Sequence, residues 1–452
     1  MNEACAAKLR KTHTLVWLFL GMLVYKFSMD LGYLYSTRVS DYVLRFNPLK
    51  YAQGLVFCVV LFPFIQHTER RASSFFLYFI FLFQIVPITT VYALGDRSAA
   101  YYTLLCLCFF LCELIVGYTG DRPLLRRNFP VSRAMTLCCA AGTLALILYV
   151  VAKNGAPRLS LLNIYTVYEY RRSGVFQAGK YMKYLLGWTV DVFLPFGAAK
   201  ALADRRYGAA GLALGGLVLL YLYTGMKGFL FSAPFILACT LWARRKNCYQ
   251  EMFLTGCGGF SIMTALAYFT KPGSLWYRLF GLFGDRTMLL AAQLKFDYYD
   301  YFLTRPKLGL AAVFPRWLIN IPNPYAEVAI DHEIGAIYYD APQMGANTGF
   351  FAEGNMRFGP VGTVLVLLLL ALLLKQMDRF QDRAGYELAI GLFITPILYL
   401  ADLHLLDSLV LGDWNWLAFI LLFYIPRHMP PEPPALRLER RRLDLRPPRL
   451  RC

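Results

Sequence analysis

Asp331, His332 and Glu333 stand side by side, an imidazole flanked by two carboxylates. Such neighbours can tune a histidine as general base on a hydroxyl, although a surface-loop histidine looks the same in sequence. The cluster lacks the second histidine of HExxH, which excludes zinc-protease chemistry. Further on, Glu353 precedes an apolar run, where a carboxylate suits catalysis or the capping of a neighbouring helix. Asp297 and Asp300, at i, i+3, would share a helix face and either hold a divalent ion or be solvated. A second group is cationic: Arg171 and Arg172 interleaved with tyrosines, Lys227 in a short turn, Arg286, and Arg316 between two prolines. Guanidinium forks match phosphate oxygens bidentately. The bland readings are headgroup contact by an interfacial helix and lysine snorkelling.

The elements that position these residues are membrane helices. Of 452 residues, 58% are hydrophobic and 16% charged, against roughly 25% charged in soluble domains. About twelve apolar spans follow, near 14–36, 51–67, 73–94, 98–119, 134–152, 182–201, 208–224, 228–243, 253–270, 359–376, 387–404 and 408–426. The first, after Lys8, Arg10 and Lys11, reads as a signal anchor. Alternate loops carry Lys/Arg clusters, as the positive-inside rule requires, so the +18 net charge follows topology and forms no nucleic-acid face. Both termini are expected in the cytoplasm. The fold class is therefore all-α, a polytopic integral membrane bundle. Residues 1–270 form an N-terminal bundle of about nine spans, and 271–358 a large outward loop with the active site. Residues 359–426 form the last spans, and 427–452 a basic tail apposed to lipid.

Secondary expectations follow. Asp285 should N-cap a helix starting at Arg286. Gly211 and Gly215 should let helices approach. The aromatic residues of the insert form an interfacial belt or stack on carbohydrate. None of the eleven cysteines falls in an outward loop, so no disulfide framework is implied. Charged residues are not strung through the span centres, as an ion pump or proton-coupled carrier would need.

Arg286, then Pro315-Arg316-Trp317 with Pro322, then Thr348-Gly349, Glu353 and Phe358-Gly359-Pro360-x-Gly362 together resemble bacterial O-antigen polymerases of the Wzy type, the oligosaccharide repeat-unit polymerases. The plan of many spans and one late periplasmic loop covers most of the chain; the motifs cover only the insert. The resemblance implies a GT-C-like inner-membrane glycosyltransferase that needs neither metal nor cofactor. Its substrates would be undecaprenyl-pyrophosphate-linked glycans, and a flippase and a chain-length regulator would be partners beside the membrane lipids. By that resemblance Arg286 and Arg316, with Arg171, Arg172 and Lys227, bind pyrophosphate, while His332, Asp331 or Glu353 activates the acceptor. Lys227 stands where relatives commonly have arginine. Rival readings are an O-antigen ligase, which would need a critical histidine, and a polysaccharide transporter or flippase. A membrane acyltransferase is a further rival, for which His404 beside Asp402 is the candidate.

Overall fold

The computed structural model describes residues 3–40, 42–65, 71–118, 132–163, 166–174, 176–177, 179–245, 248–311, 313–314, 319–325, 327–410, 412 and 415. Among them every regular element is helical. Lipid offers backbone groups no hydrogen-bond partners, and a helix satisfies them within one segment. Eight helices are long and apolar enough to cross a membrane, by length and composition. Three shorter apolar helices, Pro48–Phe64, Lys227–Trp242 and Tyr386–Tyr399, join them. These eleven coincide with the first eleven expected spans. The expected twelfth span, from 408 to 426, lies mostly outside the described residues, as does the basic tail.

The helices alternate in direction. The 225–226 turn, the 95–98 turn, the 270–349 insert and the 400–404 turn therefore gather at one end of the bundle. Direct bonds hold that end together: Arg45 N donates to Leu94 O, and Arg158 N to Leu222 O. At the other end, Asp378 accepts from Ser73 N (2.8 Å) and Ser73 Oγ (2.6 Å), capping the Ala72 helix with the end of the Phe350–Ala384 helix.

Two helices widen into π turns, at Phe81–Ile85 and Thr189–Phe193. Each is followed two residues later by a proline, Pro87 and Pro195. A proline lacks the amide and its ring collides with the carbonyl four residues back, and the widened turn relieves both.

Packing corrects the reading of Gly211 and Gly215, which face open space. The close approach is made one residue on, where a Cβ on Gly216 would meet Leu194 Cδ2 at 3.0 Å. A second correction concerns charge. Lys26 (1% exposed) and Asp30 (7%) pair within the first span. Asp30 also accepts from Tyr51 Oη and Thr90 Oγ1, both at 2.8 Å, which ties three helices together. Glu113, 1% exposed, is also buried within a span. The spans thus do hold ionisable groups here, and the pairing of Lys26 with Asp30 is one that hydropathy does not report.

The insert is a folded unit. Leu275–Phe280, the π stretch Gly281–Leu290 and Ala291–Thr304 form one continuous helical rod. Asp285 therefore caps nothing; it lies inside the rod and accepts from Ser36 Oγ at 3.1 Å, fastening the rod to the first span. Asp297 and Asp300 both face Arg97 (3.0 and 3.7 Å) from the 95–98 turn; Asp297 is buried, so only Asp300 keeps a solvated side. Tyr339 Oη also donates to Asp297 at 2.7 Å. Burial pushes the Asp297 carboxyl up to about 6, against the pull of Arg97. Much of the aromatic density is this unit's own core: Tyr298, Tyr301 and Phe302 pack with Leu308, Ile334 and Met356.

Candidate functional site

The site is built by the return from insert to membrane, the Phe350–Ala384 helix. It bends sharply at Phe358 and at Gly359, whose φ of +70° favours glycine. Pro360 follows and donates no amide. The bend folds Phe350–Arg357 back against the longer span, so closely that a Cβ on Gly354 would lie 2.4 Å from Thr363 Cα. One on Gly349 would lie 2.2 Å from Leu400 O. The glycines of this phrase are thus the price of bringing the 350–357 segment against the 400–404 turn.

That approach assembles a buried charge network. Arg357 is 1% exposed and Glu353 0%. Arg357 Nε donates to Glu353 Oε1 (3.1 Å), Nη1 to the carbonyls of Gly309 (3.1 Å) and Ala311 (2.9 Å), and Nη2 to Asp407 Oδ1 (2.6 Å). Glu353 accepts the amides of Leu405 (2.6 Å) and Leu406 (3.2 Å), capping the short Leu405–Val410 helix. Asp407 Oδ2 lies 2.9 Å from His404 Nδ1.

Above the network opens a cavity of about 390 Å3. Its wall includes Arg357, His404, Asp407, Asp402, Asp331 and Tyr325. Asp402 lines this wall and is exposed there, with protein packed around it. Burial accordingly pushes its carboxyl up to about 6, opposed by Lys295 and Arg286. Lys295 is wholly buried behind it, donating to Ala291 O (2.9 Å) and Ala401 O (3.4 Å). Burial pulls its ammonium down to about 8.

Glu353, His404 and Asp407 present ligand atoms within 4.8 Å of one another, close enough to share a cation. The Arg357 guanidinium already bridges the two carboxylates, and the Leu405 and Leu406 amides occupy Glu353. The donor set therefore fits a guanidinium better than a metal ion.

Of the residues expected from sequence, Asp331 lies on the cavity wall. Glu353 lies beneath it as a helix cap, so it orients the wall and is not placed to touch a substrate. His332 is exposed and off the wall, with Nδ1 3.2 Å from Pro342 O. Arg316 lies outside the described residues, as does the side chain of Arg172. Arg171 packs its stem on Gly225, two residues before Lys227 opens its helix. Gly228 abuts Tyr399, and Phe231 meets Phe283 at 5.8 Å between ring centroids. Exposed Arg286 acts electrostatically on Asp402. Of these cations, Arg286 is the one tied to the 399–402 turn, through Asp402.

Arg357, Asp407 and Lys295 were missed as site residues in sequence, and His404 was paired there with Asp402 where the structure pairs it with Asp407. The available signal was Glu353 and Arg357 at i, i+4 inside a membrane-entering helix, a pair too costly to bury without further partners. Comparison of the chain with protein-family models, with curated proteins and with solved structures gave no match.

Proposed function

We propose that the chain is a multi-pass glycosyltransferase of the bacterial inner membrane that polymerises undecaprenyl-pyrophosphate-linked oligosaccharide repeat units. The reaction would run at the periplasmic face and build an O-antigen, capsular or exopolysaccharide chain. One observation carries this reading. Arg286 acts electrostatically on Asp402, and Asp402 lies with His404 and Asp407 on the wall of one cavity. The opposite end of the bundle carries Arg205, Arg206, Arg244 and Arg245, which supports a cytoplasmic assignment for that end.

In this scheme the cations offset the pyrophosphate charge and make it a leaving group. His404 donates Nδ1–H to Asp407, and Nε2 takes the proton of the acceptor hydroxyl. That oxygen bonds to the anomeric carbon of the donor glycan. The bond from that carbon to the pyrophosphate oxygen breaks, and undecaprenyl pyrophosphate leaves with the electron pair. A cavity histidine also favours a second reading, an O-antigen ligase with the same donor; lipid A core as the acceptor would identify it.

The purified protein, given lipid-linked repeat units, is expected to polymerise them in excess EDTA and without nucleotide sugar. Arg286→Ala should abolish polymer at unchanged membrane abundance, with lysine rescuing poorly, because a charge-assisted contact contributes about 1.5–3 kcal/mol. A normal chain-length distribution from Arg286→Ala, or EDTA arrest reversed by Mg2+, would overturn the arginine clamp.

A pH dependence follows from Asp402. Its carboxyl, raised to about 6 by burial, is ionised above that pH and protonated below it. A step needing the carboxylate loses about tenfold in rate per pH unit below 6. The rate should therefore climb from pH 5 to 7 in the wild type. Asp402→Asn should be slow and should have a shallower limb, keeping only the part that the His404 base itself imposes; a limb identical to the wild type's would show that Asp402 does not contribute to it.

A further inference from the structure

The cavity wall sorts its polar groups unevenly. Arg357 is its one arginine, and all three guanidinium nitrogens are committed to Glu353, Asp407 and two carbonyls. Four of its five N–H donors are so used, which leaves one Nη2–H. Asp407 is equally spent, between Arg357 and His404. By contrast the carboxylates of Asp331 and Asp402 accept no hydrogen bond from the protein among the described residues. Both face the cavity. The lining amides of Asn323 and Asn347 add neutral donors and acceptors, and Tyr325 adds a ring held by its hydroxyl's bond to Pro306 O at 2.7 Å. Lys295 and Arg286 act on Asp402 from outside the wall.

Two carboxylates without protein donors, beside a third already paired with the wall's one guanidinium, make a cavity that asks for hydrogen-bond donors and repels negative charge. Its volume, about 390 Å3, falls at the small end of the roughly 300–1,000 Å3 of small-molecule sites. We infer that this cavity seats a neutral or amino-bearing sugar unit of the glycan, and that uronic acids and the pyrophosphates are kept out of it. The inference rests on the glycan-polymerising reading above and divides its substrate in two. The anionic carrier stays outside the wall on the side of Arg286, and the hydroxyl-rich or amino-bearing sugar enters between Asp331 and Asp402. Hydroxyl and ammonium groups donate to the free carboxylates, while a carboxylated sugar would set like charges together in a confined space.

The test measures binding without turnover, so its failure is separable from failure of polymerisation. Full-length protein in nanodiscs is titrated calorimetrically with trisaccharides of glucosamine, N-acetylglucosamine and glucuronic acid. The first two are expected to bind at least about tenfold more tightly than the third, a difference of about 1.4 kcal/mol. In Asp331→Asn/Asp402→Asn the glucosamine preference over glucuronate should shrink at least about tenfold. Should that variant fail to fold, the wild-type comparison alone decides. Glucuronate binding as tight as the other two, no binding of either neutral or amino trisaccharide, or an unchanged preference in a folded double variant would each overturn the inference.

Discussion

Arg357→Ala is expected to leave little folded protein in the membrane. The substitution strips one partner each from two carboxylates and two carbonyls at once: Glu353, Asp407, Gly309 O and Ala311 O. Breaking a buried pair by removing one partner costs about 3–5 kcal/mol, a large part of the roughly 5–15 kcal/mol that holds a domain folded. The fluorescent full-length protein, solubilised and passed over a sizing column, should lose its monodisperse peak. Arg357→Lys should fall between, since a single ammonium cannot span partners on opposite sides of the planar fork. The double variant Arg357→Ala/Glu353→Ala should be less damaged than the sum of the two single changes, because it removes the stranded charge together with its partner. An unaltered thermal midpoint in Arg357→Ala would refute the network as a structural keystone.

What sequence could and could not disclose follows from the range of each signal. Hydropathy is local and long-run, so the eight membrane-length helices and the three shorter apolar ones were legible, and only their kinks were not. The bend at Phe358 and Gly359 falls within a phrase already conspicuous for glycine and proline. Its purpose lies in Gly349 meeting Leu400 and Gly354 meeting Thr363, contacts that no periodicity encodes. Asp285 next to Arg286 looked like a helix start because caps are read from short windows. The rod instead runs through it, and its carboxylate is taken by Ser36 from the distant first span. Asp297 and Asp300 were correctly set on one face, yet their partner Arg97 comes from a turn two hundred residues earlier.

The same distance problem explains the site. Asp331 was found because its neighbours in sequence are also titratable. Arg357 gains meaning only from Asp407, which is 50 residues away. His404 was noticed, but beside the wrong aspartate: Asp402 is nearer in sequence, whereas Asp407 follows one helical step later and is the one it bonds. The Lys26–Asp30 pair escaped notice because two charges barely dent the hydropathy of a 26-residue span.

The second large effect decides between two histidines. His404→Ala is expected to lower kcat by about 10^2–10^4-fold, the usual contribution of a positioned general base, with the KM for the lipid-linked unit little changed. His332→Ala should leave both nearly intact, because that ring is exposed, off the cavity wall, and turned to Pro342 O. The geometry supplies the reason for the asymmetry. His404 is held through Asp407, which is itself fixed by Arg357, so its other ring nitrogen has a defined direction and bonds to no other group among the described residues. His332 has one weak carbonyl contact and nothing behind it to set an angle, and a base that wanders forfeits the advantage of position. Asp407→Asn provides the intermediate: the amide can still bond His404 in either tautomer, so activity should fall while donor binding persists. The measurement is single-turnover transfer with radiolabelled acceptor, which separates chemistry from carrier release. Loss of transfer in His332→Ala with normal rates in His404→Ala would invert the assignment and move the reacting atoms out of the cavity, towards the exposed face of the Ile330–Tyr339 helix.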